Sequence, residues 1–283
     1  MKKPVRIIPI LDIKNGLLIK GINFEGLRAL GNAKEFAKLY FSQGADEICY
    51  LDNVATVYGT SNLTKFINDT AKNIFIPLSI GGGIKSVQNA LEFFKAGADK
   101  IIMNSAVIDN LSVLKKISKI FGSANITIII QAIKIDKKYF ISKSHGRDTV
   151  KINPVDWAKR VEDYGAGEII ITSVNNEGLK KGYDINLTKK IVEAVSLPVI
   201  AHGGAGNVKH IYDVIRYANV SGVGLASMLH YDAIKFLPEF NSKKHKIGNF
   251  DYLEKIKRKK KKKNTILEIK KYLNKKNITI RND

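Results

Sequence analysis

Two stretches of this chain repeat one another at a fixed spacing, and that repeat limits the possible folds more sharply than any other feature. Gly44-Ala-Asp-Glu-Ile-Cys-Tyr-Leu-Asp52 aligns with Gly165-Ala-Gly-Glu-Ile-Ile-Ile-Thr-Ser173, an offset of 121 residues (165 less 44). Pro77-Leu-Ser-Ile-Gly-Gly-Gly83 aligns with Pro198-Val-Ile-Ala-His-Gly-Gly204 at the same 121 (198 less 77), and Asn104-Ser105 with Ala226-Ser227 at 122 (226 less 104). A constant period of this kind marks a fold assembled from repeated units.

The units are β-strand and helix in alternation. Strand-like runs rich in Ile, Val and Leu occupy Arg6–Leu11, Glu47–Leu51, Pro77–Ile80, Lys100–Met103, Ile126–Ile130, Glu168–Thr172, Pro198–Ala201 and Gly222–Leu225. Between them, segments such as Val87–Ala96 and Pro154–Tyr164 place apolar residues at helical spacing, so the strands run parallel and are joined by helices. Eight such units predict an α/β fold, a closed (β/α)₈ barrel made of two half-barrels of four units each.

With 283 residues, 45% of them hydrophobic, one barrel domain spanning residues 1–283 is expected. The single cysteine, Cys49, lies in an apolar run and reads as a small buried hydrophobe, without a disulfide partner. The first residues run directly into a strand and no apolar stretch reaches membrane-spanning length, so the expectation is a cytoplasmic protein with no membrane association. The net charge of +21 raises nucleic acid as a partner. Much of that charge is local, because Lys255–Lys263 (KIKRKKKKK) holds eight basic residues, and no aromatics interleave with them to form a stacking surface. The run reads as part of a solvated surface insertion at about 230–264, before a final amphipathic helix, Thr265–Asn274, and a strand-like end, Ile278–Arg281.

In barrels of this class the C-terminal ends of the strands build the site. Asp12 ends the first strand and Gln131 ends the fifth, its equivalent in the second half at an offset of 119 (131 less 12). A carboxylate at an apolar mouth can serve as a general acid or base if burial raises its pKa, or it can simply cap the turn. Gln131 can orient a substrate by hydrogen bonds but cannot transfer protons. Gly82 and Gly83 follow the third strand and Gly203 and Gly204 the seventh, where bare backbone N–H groups can approach a phosphate; tight turns also need glycine. Asn104 and Ser105, and in the other half Ala226 and Ser227, complete two equivalent cups, which suggests a ligand with a phosphate at each end. Arg6, Glu47, Lys100 and Glu168 all fall at strand starts, two cationic and two anionic. Either they form a closed ion-paired ring across the floor, one that excludes water yet can open to a small neutral molecule, or they are an ordinary solvated rim.

Several motifs together resemble the cyclase subunit of imidazole glycerol phosphate synthase, over nearly the whole chain: Arg6-Ile-Ile-Pro-Ile-Leu-Asp12, Lys20-Gly-Ile-Asn-Phe24, Gly81-Gly-Gly-Ile84, Gly97-Ala-Asp-Lys100, Gly165-Ala-Gly-Glu168, Gly182-Tyr-Asp184 and Gly203-Gly-Ala-Gly206. The resemblance implies a lyase of histidine biosynthesis that needs no cofactor or metal. Ammonia from a partner glutaminase, bound as a heterodimer, would cross the barrel and convert a bis-phosphorylated ribonucleotide to imidazole glycerol phosphate and an aminoimidazole carboxamide ribotide. On the same resemblance Asp12 is an essential acid/base and Lys20 stands on a mobile loop closing over substrate. Gly178 belongs to the substrate site, Arg6, Glu47, Lys100 and Glu168 form the ammonia gate, and Asp99 faces the glutaminase. This chain departs from that pattern at Gln131, where the family has a second catalytic aspartate, at His202, where it has a phosphate-side serine, and across Asn175-Asn-Glu-Gly-Leu179. Those departures suggest a second reading, a divergent second copy of the subunit that channels ammonia to a surface-sugar amidotransferase.

Overall fold

The computed structural model describes residues 4–52, 61–237 and 264–281. Among the described residues, twelve strands form one sheet: β1 (Arg6–Lys14), β2 (Leu17–Ile22), β3 (Glu25–Asn32), β4 (Ile48–Asp52), β5 (Leu78–Gly81), β6 (Lys100–Met103), β7 (Ile126–Ile135), β8 (Lys138–Lys143), β9 (Asp148–Val150), β10 (Glu168–Ser173), β11 (Val199–His202) and β12 (Gly222–Leu225). Eight of them, in the order β1-β4-β5-β6-β7-β10-β11-β12, pair in parallel, and β12 returns to β1 so that the sheet closes. All eight coincide with the strands expected from the sequence, with ends shifted by a few residues.

The helices lie outside this barrel, and most begin where a side chain can satisfy the free backbone N–H groups of the first turn. Asn32, Ser86, Asn153, Asp184 and Asn207 each accept from the backbone N–H of the second or third residue of the helix that follows, and Pro154 opens its helix at the position where a missing N–H costs nothing. The last helix, Ile266–Lys275, starts with a reciprocal capping box between Thr265 and Glu268. Its Lys270 is buried against Asp46 at 2.9 Å, while the other Asp46 oxygen accepts from the Ile7 backbone at 2.7 Å. Ile280 then forms a bridge to Val5, so the chain's end is fastened to the start of β1.

Alternation along the strands divides the core in two. One set of side chains packs between sheet and helices; the other, Ile8, Ile10, Cys49, Leu51, Ile102, Ile129, Ile170 and Ile200, fills the bore. Burying an isoleucine is worth about 1.5–3 kcal/mol, so this inner layer is a stable apolar plug between floor and mouth and not an open pore.

The structure differs from expectation in two places. The remaining four strands were not foreseen: β1 and β7 both run on past the mouth and fold back in antiparallel hairpins, β1 with β2 and β3, β7 with β8 and β9. Both hairpins turn on two residues of positive φ, Asn15-Gly16 and Asp136-Lys137, as strand twist favours. Second, residues 230–237, expected to open a surface insertion, belong to the described fold. Ser227–Ala233 is a helix packed into the core, and His230 is fully buried, its Nδ1 2.7 Å from the Tyr40 hydroxyl and its Nε2 2.8 Å from the Ile10 carbonyl. The basic run Lys255–Lys263 lies outside the described residues. Among the described residues, no helix is long and apolar enough to cross a membrane.

Candidate active site

The strand starts carry the first site. Arg6 Nη1 lies 2.8 Å from Glu47 and its Nη2 in contact with Glu168; Lys100 Nζ lies 3.2 Å from Glu47 and 3.1 Å from Glu168. Cation and anion alternate around a closed ring in which each carboxylate serves both cations. Ser79 donates to Glu47 and Thr127 to Glu168, which leaves the carboxylates fully occupied. Burial works against both charges, but the neighbouring opposite charges prevail: Lys100 is held above the usual lysine range and Glu168 below the usual carboxylate range. Lys100 and Glu168 are therefore charged at neutral pH, and ion pairs close the ring. Asp99 sits exposed beside it, its carboxylate accepting from the Leu78 backbone at 2.8 Å.

At the other end of the bore the inward positions become polar. Asp12 and Gln131 stand on strands four places apart around the ring, on opposite sides of one mouth. Third and fourth strands and seventh and eighth strands are likewise opposed, so the cup of Gly82, Gly83, Asn104 and Ser105 faces the cup of Gly203, Gly204, Ala226 and Ser227. A cavity of about 720 Å³ opens over the first cup, lined by all four of its residues together with Gln131, Lys116 and His145. Asn104 donates to the Gln131 side-chain oxygen at 3.3 Å, which fixes that amide toward the cavity. The second cup does not line this cavity; its four residues are buried. Two polar atoms there, Ser227 Oγ and His202 Nε2, are buried without a hydrogen-bond partner among the described residues.

Covering that side is the β2–β3 hairpin. Lys20 is on β2, not on an irregular loop, and only 1% exposed. Its ammonium reaches Asp12 Oδ2 at 2.9 Å and also contacts Glu177, a buried carboxylate that sequence reasoning passed over as a departure from a motif. The next residue, Gly178, lines no part of the open cavity. Its φ is +77°, and a Cβ there would come 2.7 Å from the Gly21 carbonyl, so glycine lets the hairpin close onto the 174–179 turn. Asn23 N donates to the Glu177 carbonyl at 2.9 Å across the same seam.

This clasp decides the charge states. Burial alone would raise the Asp12 carboxyl, as the sequence suggested, yet Lys20 beside it holds it below the ordinary carboxylate range. Burial would likewise lower Lys20, but Asp12 and Glu177 lift it above the ordinary lysine range. Asp12 is therefore ionised in this arrangement, with no proton of its own to donate. His202 and His145 are both held below the usual histidine range, chiefly by burial, so the mouth holds neutral imidazoles. Among the described residues no cluster of three His, Cys, Asp or Glu side chains could hold a metal ion.

Two facing glycine-rich cups, a carboxylate at the mouth and an ion-paired floor define a site, and a family model described as histidine biosynthesis protein matches residues 6–235. The chain belongs to that family. Among its members, it is 43% identical to "Imidazole glycerol phosphate synthase subunit HisF" of Petrotoga mobilis over 80% of this chain and 90% of the relative. The protein of the same name from Legionella pneumophila is 43% identical over 72% of this chain and 97% of the relative, and that from Pyrococcus furiosus 44% identical over 80% and 90%. The match to the histidine biosynthesis family stops at residue 235.

Proposed function

We propose that this chain is a cyclase-type lyase subunit of histidine biosynthesis. It would combine ammonia from a partner glutaminase with a bis-phosphorylated ribonucleotide, releasing imidazole glycerol phosphate and aminoimidazole carboxamide ribotide. The observation that carries the reading is the stack along one axis: a closed charged ring, a dry apolar bore, and a mouth with two opposed anion cups. Ammonia is small and neutral. It can pass an apolar layer that excludes ions and phosphorylated ligands, provided one member of the ring swings aside.

The residues divide the work accordingly. The cups of Gly82, Gly83, Asn104 and Ser105 and of Gly203, Gly204, Ala226 and Ser227 hold the two phosphates. Asp12, ionised, accepts a proton in the reaction, and Gln131 orients the substrate through its amide. Lys20 keeps Asp12 charged and seals the mouth under the β2–β3 hairpin, to which Gly178 gives close contact. Arg6, Glu47, Lys100 and Glu168 gate the ammonia path, and Asp99 stands on the face where a glutaminase would dock. No cofactor is called for.

One observation favours the second reading, an ammonia-channelling subunit for a surface-sugar amidotransferase. The floor ring is complete, whereas the mouth has the non-titrating Gln131 opposite Asp12. The assay that separates the two adds ammonium salt and the bis-phosphate to the purified chain and follows product by absorbance. Turnover supports the cyclase. No turnover, together with its appearance in Gln131→Asp, supports the conduit.

A further inference from the structure

Gln131 leaves the mouth short of one proton-carrying group, and the structure contains a candidate two strands away. In the parallel register Gln131 pairs with Thr172, and Thr172 pairs in turn with His202, so the three side chains form one row across β7, β10 and β11. Inter-strand spacing of about 4.8 Å puts the imidazole about 10 Å from the amide, the width of a small substrate. The half-barrel repeat matches His202 with Gly81 at the offset of 121 (202 less 81). At Gly81 a Cβ would come 2.8 Å from the Leu51 Cδ2 methyl and 3.1 Å from the Ile102 Cβ, so a side chain there would crowd its neighbours. In the second half Gly224 opens the space, since a Cβ there would lie 3.2 Å from both the Cβ and Cδ2 of His202.

We infer that His202 is a catalytic residue of the mouth, contacting substrate through Nε2 and carrying the proton that Gln131 cannot. Nδ1 lies 3.0 Å from the Thr172 hydroxyl, which can donate or accept and so holds the ring in either tautomer. Nε2 is buried with no hydrogen-bond partner among the described residues, a state few buried polar atoms are left in. Glu177 Oε2 is 4.0 Å from it, too far for a hydrogen bond and close enough to stabilise an imidazolium. The charged or titratable groups that act on the ring are Glu177, Asp12 and Lys20, with His230 beyond; burial and Lys20 outweigh the carboxylates, so the imidazole starts neutral and can act as a base.

The inference rests on the cyclase reading, and the step it assigns is the addition of ammonia to a substrate carbonyl. The nitrogen lone pair forms the C–N bond as the C=O π pair moves to oxygen. One proton passes from the new ammonium nitrogen to Nε2, and the imidazolium returns it to the oxygen, giving a neutral carbinolamine with no net proton change.

The test is steady-state cyclisation with ammonium salt and the bis-phosphate, in wild type, His202→Gly and His202→Gln, with and without added imidazole. The glycine variant recreates the arrangement of the first half-barrel and leaves a ring-sized space; the glutamine variant keeps a polar side chain and cannot titrate. Both should lose 10²-fold or more in kcat, within the range that general acid–base groups supply, with KM changed less than threefold. The fall of kcat toward low pH should vanish in both, and imidazole should restore His202→Gly alone. Equal kcat in wild type and variants, a loss confined to KM, or a loss that imidazole does not touch would overturn the inference. A wild type that makes no product overturns the cyclase reading first, and the assignment to His202 falls with it.

Discussion

Replacing Lys20 with Met tests the clasp at the mouth. The ammonium is 1% exposed and joins two buried carboxylates, Asp12 at 2.9 Å and Glu177 in closer contact. Methionine fills most of the volume but leaves both carboxylates unpaired away from water, and breaking a buried pair in this way costs about 3–5 kcal/mol. The pH dependence has a definite sign. In the wild type Asp12 titrates below its unfolded value, so it contributes stability above about pH 4 that is lost as pH falls through the folded pKa. In the variant an unpaired buried carboxylate titrates above its unfolded value, so the folded state binds more protons and stability declines as pH rises. The gap between the two proteins therefore widens with pH, by up to about 1.4 kcal/mol per unit for one group, until the raised pKa is passed. Urea unfolding followed by circular dichroism at pH 5, 6.5 and 8 gives the comparison. A gap under about 1 kcal/mol at pH 8, or one that narrows as pH rises, refutes the argument.

Other consequences are checked as directly. Lys100→Ala opens one side of the floor, so in a complex reconstituted with the glutaminase, glutamine hydrolysis should continue while glutamine-dependent product falls; unchanged coupling removes the gate. His230 titrates at about 3 when folded, and the unfolded histidine near 6.5, so stability should drop by up to about 1.4 kcal/mol per unit as pH falls between those values, and His230→Gln should flatten that slope. Gly204 has φ +104° and a Cβ there would lie 2.0 Å from the Gly182 carbonyl, whereas at Gly122, φ +83°, nothing stands within 4 Å. Gly204→Ala should therefore cost at least about 2 kcal/mol in chemical denaturation, and clearly more than Gly122→Ala.

The barrel was legible because repeat and alternation are both written along the chain. An offset of 121 residues indicates two halves, and runs such as Glu168–Thr172 have the length and β-branched content of buried strands. The polar positions at strand ends followed from the same alternation, which aims Arg6, Ile8, Ile10 and Asp12 into the bore. The hairpins beyond the mouth were less visible. Asn15-Gly16 is a strong two-residue hairpin signal that was passed over, while Asp136-Lys137 adopts positive φ without a glycine and gives no such signal. The pairing of Lys20 with Glu177 could not be read at all, because 157 positions (177 less 20) separate partners brought together only by the closed sheet and the hairpin folded over it. What reversed the expected shift of Asp12 is the other contact of the same ammonium, the Lys20–Asp12 pair, which forms only because β2 folds back on β1 in a hairpin the sequence reading lacks. Burial was legible; the cation that overrides it was not.

In the proposed reaction this chain joins ammonia to a bis-phosphorylated substrate at Asp12. Incubating it with ¹⁵N-labelled ammonium and the bis-phosphate, then weighing the imidazole product by mass spectrometry, puts that to a direct trial. One heavy nitrogen per imidazole glycerol phosphate in the wild type, and none detectable with Asp12→Asn, is the outcome expected. Unlabelled substrate recovered intact from the wild type, or equal labelling by the Asp12→Asn variant, would contradict it.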